Sequence, residues 1–136
     1  SSDQKEGRLG TELMRIRRLF ERIGVGHLVL VDELCSGTNP SEGEEIVELV
    51  ISLLGRLQPL AVVSTHFLQF AMRLHAHPPV SDLSFLQVQL DDHQRPTFRF
   101  EPGVASTSLA SVTAERLGVT RAALEDLIEK RLHQVN

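Results

Sequence analysis

Two short apolar runs, Leu28–Val31 and Leu60–Ser64, bracket one amphipathic helical segment, and this spacing constrains the chain more than any other feature. The first run follows a turn signal at Gly24 and Gly26 and alternates leucine with β-branched valine. That pattern predicts a strand buried on both faces, as in a parallel sheet. It ends abruptly at two acids, Asp32 and Glu33. Ser36-Gly37-Thr38-Asn39-Pro40 then reads as a loop. Ser41 has capping-box spacing to Glu44. Ile46, Val50, Leu53, Leu54 and Leu57 recur at helical spacing, and Val47, Leu49 and Ile51 widen the apolar face until Pro59 stops it. The second run ends at Thr65 and His66. The step of 34 residues from Asp32 to His66 is the size of one βαβ unit. Its crossover is right-handed and its strands are parallel. Asp32, Glu33 and His66 are thereby expected at carboxyl ends on one sheet edge, where open α/β sheets bind ligands.

The flanking segments are helical or hairpin-like. Leu9, Leu13, Ile16, Phe20 and Ile23 form one stripe of a helix over about Gly7 to Ile23. Arg15, Arg17, Arg18, Glu21 and Arg22 lie off that stripe, as a solvated face would. A short helix is expected from Phe67 to Leu74, and His75 to Asp82 is a loop with two prolines. Leu86, Val88 and Leu90 alternate with Gln87 and Gln89, and Phe98 and Phe100 with Thr97 and Arg99. That predicts a β-hairpin over 85–100 with one buried face. Two helices close the chain over 107–133, about Thr107 to Leu117 and Arg121 to His133. Gly118 ends the first, Thr120 caps the second, and Leu124, Leu127, Ile128 and Leu132 form an apolar stripe. The fold class is α/β.

Composition removes several classes of function. A chain of 136 residues fits one domain, and 41% hydrophobic with 24% charged residues is globular rather than disordered. A net charge of −4 opposes a surface that grips nucleic-acid phosphates throughout. The last two helices have a helix–turn–helix rhythm. However, Arg121, Glu125, Asp126, Glu129, Lys130 and Arg131 nearly balance, which opposes a basic recognition helix and a stand-alone transcription factor. Cys35 has no cysteine to pair with. No apolar run approaches a membrane span and no signal peptide opens the chain, so a reducing, cytoplasmic compartment is expected, nucleoid-associated or nuclear in a eukaryote.

An apolar strand ending in Asp-Glu has a specific use in nucleotide hydrolysis. The first acid helps hold Mg²⁺, and the second orients or polarises the attacking water. Asp32 and Glu33 occupy those positions, and His66 on the adjacent strand could reach a γ-phosphate or that water. The bland alternatives are acids that cap a neighbouring helix and a histidine hydrogen-bonded at a strand end. Gly37-Thr38-Asn39 could reach a partner subunit, or be a plain turn. His75 and His77 form an HxH pair, but two histidines alone rarely make a metal site.

Taken together, LVLVDELCSGTNPSEGEE and AVVSTHF resemble the carboxy-terminal half of a MutS-family ATPase, within the ABC ATPase superfamily. The family's Walker B strand, D-loop and closing Thr-His pair match Asp32-Glu33, Gly37-Thr38 with Glu42-Gly43, and Thr65-His66. Downstream, Pro102, Gly103, Ser106, Ser108, Ala114 and Gly118 fall at matching spacing, so the resemblance runs from about Gly7 to His133. It implies the second half of a P-loop nucleotide-binding domain: a signature helix region over 7–23, Walker B, D-loop and His-loop over 28–66, then the hairpin and helix pair. Three departures stand out. No GxxxxGK[ST] phosphate loop occurs, and its strand and helix would precede residue 1. The signature segment has Gly7, Arg8 and Leu9, with Glu12 as its acid, in place of the usual Ser-Thr-Phe; the serine that would contact a partner's γ-phosphate is missing, unless Gly7 or Gly10 serves through its backbone N–H. Cys35 stands where glycine is common, as a small, partly buried thiol.

The resemblance therefore implies part of an ATP-binding and ATP-hydrolysing domain in a DNA mismatch repair or related DNA-transaction protein. Asp32 would assist Mg²⁺, Glu33 act on the water and His66 sense the γ-phosphate, with Gly37, Thr38 and Asn39 forming the D-loop. ATP and Mg²⁺ are the expected ligands. The expected partners are the P-loop half of the same domain, a second subunit packed against the last two helices, and DNA reached through other domains. This chain alone is expected to be inactive. The alternative is a non-catalytic dimerisation module on a degenerate ATPase scaffold. A half-sheet without its neighbours should expose apolar strands, so association or marginal stability is expected.

Overall fold

The structure is a computed structural model that describes residues 2–106 and 109–135. The expected helix start at Thr107, and Ser108, lie outside the described residues. The chain divides into two compact units, one built on residues up to Leu86 with Pro102–Val104, the other on Gln87–Glu101 and the residues from Ala105 onward.

The first unit contains α1 (Ser2–Phe20), β1 (Leu28–Asp32), α2 (Pro40–Leu57), β2 (Leu60–Ser64) and α3 (Leu68–Ala76). β1 and β2 are parallel, with Leu28 opposite Leu60 and Asp32 opposite Ser64. The βαβ unit is thus present at the expected spacing. Pleating sends alternate residues to opposite faces. Val31, Ala61 and Val63 face the core, where Leu34, Cys35, Val47, Val50, Leu54, Phe67, Phe70 and Leu74 are buried. The stripe of α1 joins them through Leu9, Ile16 and Phe20, with Ile23 beyond its end. Arg15, Arg17, Arg18, Glu21 and Arg22 are exposed, as their position off that stripe requires.

The expectation of strands buried on both faces fails. Leu28, Leu30, Leu60 and Val62 are 62%, 72%, 71% and 58% exposed. The core gathers on one side of a two-stranded sheet, so the alternate residues of both strands are bare on the other. The cap of α2 also differs from expectation. The N-cap is Asn39, whose Oδ1 accepts from the Ser41 N–H at 3.1 Å and the Ser41 hydroxyl at 3.0 Å. Pro40 takes the first helical position, where its missing N–H costs nothing. Glu44 is therefore not bound in a capping box; it pairs with Arg73 of α3 at 3.2 Å.

The second unit contains most of the hairpin of β3 (Leu86–Leu90) and β4 (Pro96–Pro102), then α4 (Leu109–Arg116) and α5 (Arg121–Val135). Asp91 forms the hairpin turn: its Oδ1 accepts from the N–H groups of His93 at 2.8 Å and Arg95 at 2.9 Å. These bonds hold its carboxyl below the usual carboxylate range. The hairpin's apolar face is not buried as expected. Leu86, Val88, Phe98 and Phe100 are all exposed, and Phe98 is left-handed at φ 60°. The half-buried face is instead a polar one, where Thr97 donates to Gln89 at 2.8 Å.

Gly118, at φ 72°, closes α4 while the Val119 N–H donates to the Ala114 carbonyl at 2.8 Å. Thr120 caps α5 through a bond from the Ala123 N–H at 3.2 Å, as expected. The stripe of Leu124, Leu127, Ile128 and Leu132 is exposed. Among the described residues, no helix is long and apolar enough to cross a membrane.

Candidate functional site

The candidate site lies at the carboxyl ends of β1 and β2, within the first unit. Parallel register sets Asp32 beside Ser64, so the residues that follow each strand emerge together. The Ser64 hydroxyl donates to Asp32 Oδ1 at 2.7 Å. The Ser64 Oγ in turn accepts from the Glu33 N–H at 3.0 Å, and that N–H is shared with the Ser64 carbonyl at 3.1 Å. Beyond them, His66 Nδ1 stands 3.9 Å from Glu33 Oε1, with both side chains about half exposed. The His66 ring also stacks at a tilt on Phe67, centroids 4.8 Å apart. The sheet edge thus brings together Asp32, Glu33 and His66 from two strands 31 or more residues apart in sequence.

The turn after β1 is strained where it aims these groups. Glu33 has φ 47° and Cys35 φ 61°, a region that side chains with a Cβ rarely occupy. The double reversal drives Leu34 and Cys35 into the core and leaves Glu33 outside. A left-handed position is one that favours glycine, the residue that the resemblance leads one to expect where this chain has Cys35. The thiol is fully buried rather than partly so; burial, and secondarily the charge of Glu12, pushes it above its ordinary value. It is no nucleophile in this state. Gly43 lets α2 approach this turn. A Cβ there would meet the Cys35 carbonyl oxygen at 3.2 Å and the Phe67 ring at 3.3 Å.

The loop residues Gly37, Thr38 and Asn39 are placed differently from one another. Gly37 is exposed, and the guanidinium carbon of Arg8 lies 3.6 Å from where its Cβ would be. The Thr38 N–H donates to the Cys35 carbonyl at 3.1 Å. The Asn39 side chain is engaged in capping α2. Gly7 and Gly10 have open space around the position of a Cβ. His75 packs edge-on against Phe85 at 5.1 Å, and His77 caps α3 through its backbone, so the HxH pair is used structurally.

Oxygen donors dominate the strand ends: two carboxylates and a hydroxyl, the chemistry of a hard cation such as Mg²⁺. Among the described residues, no group of three or more His, Cys, Asp or Glu is gathered as a metal cage. Mg²⁺ commonly binds through one or two carboxylates with water and substrate phosphates supplying the rest, so the donor set fits that mode. Sequence reading did not single out Ser64, although its position one residue before Thr65-His66 and opposite Asp32 was available from the strand spacing.

No family model matches the chain. Individual relatives do. The chain is 30% identical over 122 residues to Endonuclease MutS2 of Streptococcus sanguinis, covering 88% of this chain and 15% of the relative. It is 27% identical over 126 residues to Endonuclease MutS2 of Lactiplantibacillus plantarum, covering 92% of this chain and 16% of the relative. Against DNA mismatch repair protein MSH1, mitochondrial, of Arabidopsis thaliana, it is 30% identical over 115 residues, 84% of this chain and 10% of the relative. The chain thus spans about a tenth to a sixth of the length of the curated relatives it matches. These similarities bear out the resemblance drawn from the motifs.

Proposed function

We propose, on the premise of this homology to MutS-family proteins, that the chain is the second half of a P-loop ATPase domain in a protein that acts on DNA. The observation that carries the proposal is the meeting of Glu33 and His66 at 3.9 Å, beside an Asp32 already held by Ser64. A scaffold kept only for assembly has no need of an acid pair and a histidine converging on one sheet edge.

The roles follow from what each group can do. Asp32 would hold Mg²⁺ through one carboxylate oxygen or a bound water, while its Oδ1 stays bonded to Ser64. Mg²⁺, when bound with ATP, would neutralise charge that develops on the phosphates. Glu33 would accept a hydrogen bond from the attacking water and orient it. His66 would donate to the γ-phosphate, with its ring braced by Phe67. Gly37 and Thr38 would face a partner subunit, whereas Asn39 contributes by starting α2. The P-loop half of the domain would supply the phosphate cradle and lysine, and would cover the bare face of β1 and β2.

The test is Glu33→Gln in the full-length protein. Steady-state hydrolysis should fall by about 10²- to 10⁴-fold, the usual contribution of a general base, while ATP binding stays near wild type. Unchanged turnover would sink the assignment of Glu33.

A further inference from the structure

We infer that Ser64 is a positioning residue for the acid pair: its hydroxyl fixes the Asp32 carboxylate and the Glu33 backbone together, so that cation affinity depends on a group that never touches the cation. The inference rests on the roles proposed above for Asp32 and Glu33.

A hydroxyl has one proton to give and lone pairs to accept with. Ser64 uses both. Its proton goes to Asp32 Oδ1 at 2.7 Å, and its oxygen takes the Glu33 N–H at 3.0 Å. A short O–H···O bond to a carboxylate oxygen is among the stronger contacts a neutral donor makes, and it restrains the carboxylate's rotation. The second bond acts on a backbone already in the left-handed region, at φ 47°. It therefore helps hold Glu33 in the conformation that places its carboxylate near His66. One side chain on β2 thus links Asp32, the last residue of β1, to the Glu33 backbone that follows it, across 32 and 31 residues of sequence.

Ser64 is exposed, so removing its hydroxyl leaves no buried orphan and should leave folding intact. The Glu33 N–H would keep its bond to the Ser64 carbonyl. Positioning and folding can therefore be separated.

The experiment compares Ser64→Ala, Ser64→Thr and Asp32→Asn in the full-length protein. Mn²⁺ affinity of the nucleotide-loaded protein, read by electron paramagnetic resonance, is measured beside the Mg²⁺ dependence of hydrolysis. Ser64→Ala should weaken Mn²⁺ binding by roughly 10- to 100-fold, the usual effect of losing an outer-shell partner, and Ser64→Thr should restore it. If Asp32→Asn loses Mn²⁺ while Ser64→Ala keeps wild-type affinity, the inference fails and the reading of the site stands. Lower turnover in Ser64→Ala without a change in Mn²⁺ affinity overturns it equally. If Asp32→Asn binds Mn²⁺ like the wild type, both fail.

Discussion

A single methyl group at Gly43 should test how the candidate site is held in place. Gly43 lies in the first turns of α2 and is buried. In a helix interior, Gly→Ala normally gains about 1 kcal/mol, because glycine loses more backbone freedom on folding. Here the new Cβ would sit 3.2 Å from the Cys35 carbonyl oxygen, 3.3 Å from the Cys35 Cβ and 3.3 Å from the Phe67 ring. None of the three can give cheaply. Cys35 is fixed at φ 61° and its carbonyl accepts the Thr38 N–H, while Phe67 is buried against the same core. Overpacking of this kind costs about 1–3 kcal/mol. The crowding offsets or exceeds the propensity gain, for a net loss of about 0–2 kcal/mol.

Gly10 supplies the control. It lies within α1, is exposed, and a Cβ there would have nothing within 4 Å. Gly10→Ala should therefore show the propensity gain alone, about 1 kcal/mol. Urea unfolding followed by circular dichroism would compare both variants with the parent chain at a common slope. The midpoint should rise for Gly10→Ala and fall or stand still for Gly43→Ala. A Gly43→Ala midpoint that rises as far as that of Gly10→Ala would refute the account of close packing between α2 and the turn after β1.

Two further outcomes follow from burial. The Cys35 thiol should resist Ellman's reagent in the folded chain and react at once in urea; because folding raises its pKa, the unfolded state loses its proton first, so stability should fall as pH rises past the ordinary thiol value, and fast labelling of the folded chain at neutral pH would contradict this. The bare face of Leu28, Leu30, Leu60 and Val62 should make the isolated chain associate in sedimentation velocity, and Leu30→Lys with Val62→Lys should reduce that association; a wild-type chain that sediments as a monomer at the same concentration would count against it.

The sequence made the βαβ unit legible because its two signals reinforce each other: strand runs of β-branched residues and a helix with a continuous apolar face between them. The convergence of Asp32, Glu33 and His66 followed from that topology alone, and the register confirms that the strand ends are level. Burial was less legible. Leu28 and Leu30 read as core because an apolar run carries no information on which face finds a partner, and here only one does. The same holds for Phe98 and Phe100, whose alternation announces a strand but not a covering layer. The cap of α2 was misread by two residues, since Asn39-Pro40 and Ser41 with Glu44 are both valid starts, and Pro40 at the first position decides between them. Ser64 was not singled out as a site residue because strand spacing places it level with Asp32 but does not show that its hydroxyl bonds to both acids.

The arrangement separates what must be rigid from what must stay available. Each acid is fixed by main chain or by a short bond from a neighbouring strand, yet both remain exposed to a ligand. The rigidity comes from the core side: Leu34 and Cys35 point inward from the same turn that throws Glu33 outward, and Phe67 anchors the chain immediately after His66. Two left-handed residues within one turn, Glu33 and Cys35, are costly, about 1–3 kcal/mol each, and persist only where packing over-determines them. The buried residues that flank Glu33 and His66 are therefore part of how the site is aimed. Changing Cys35 or Phe67 should disturb the Glu33–His66 approach without touching either side chain, and that coupling would be absent if the acid pair were only a solvated strand end.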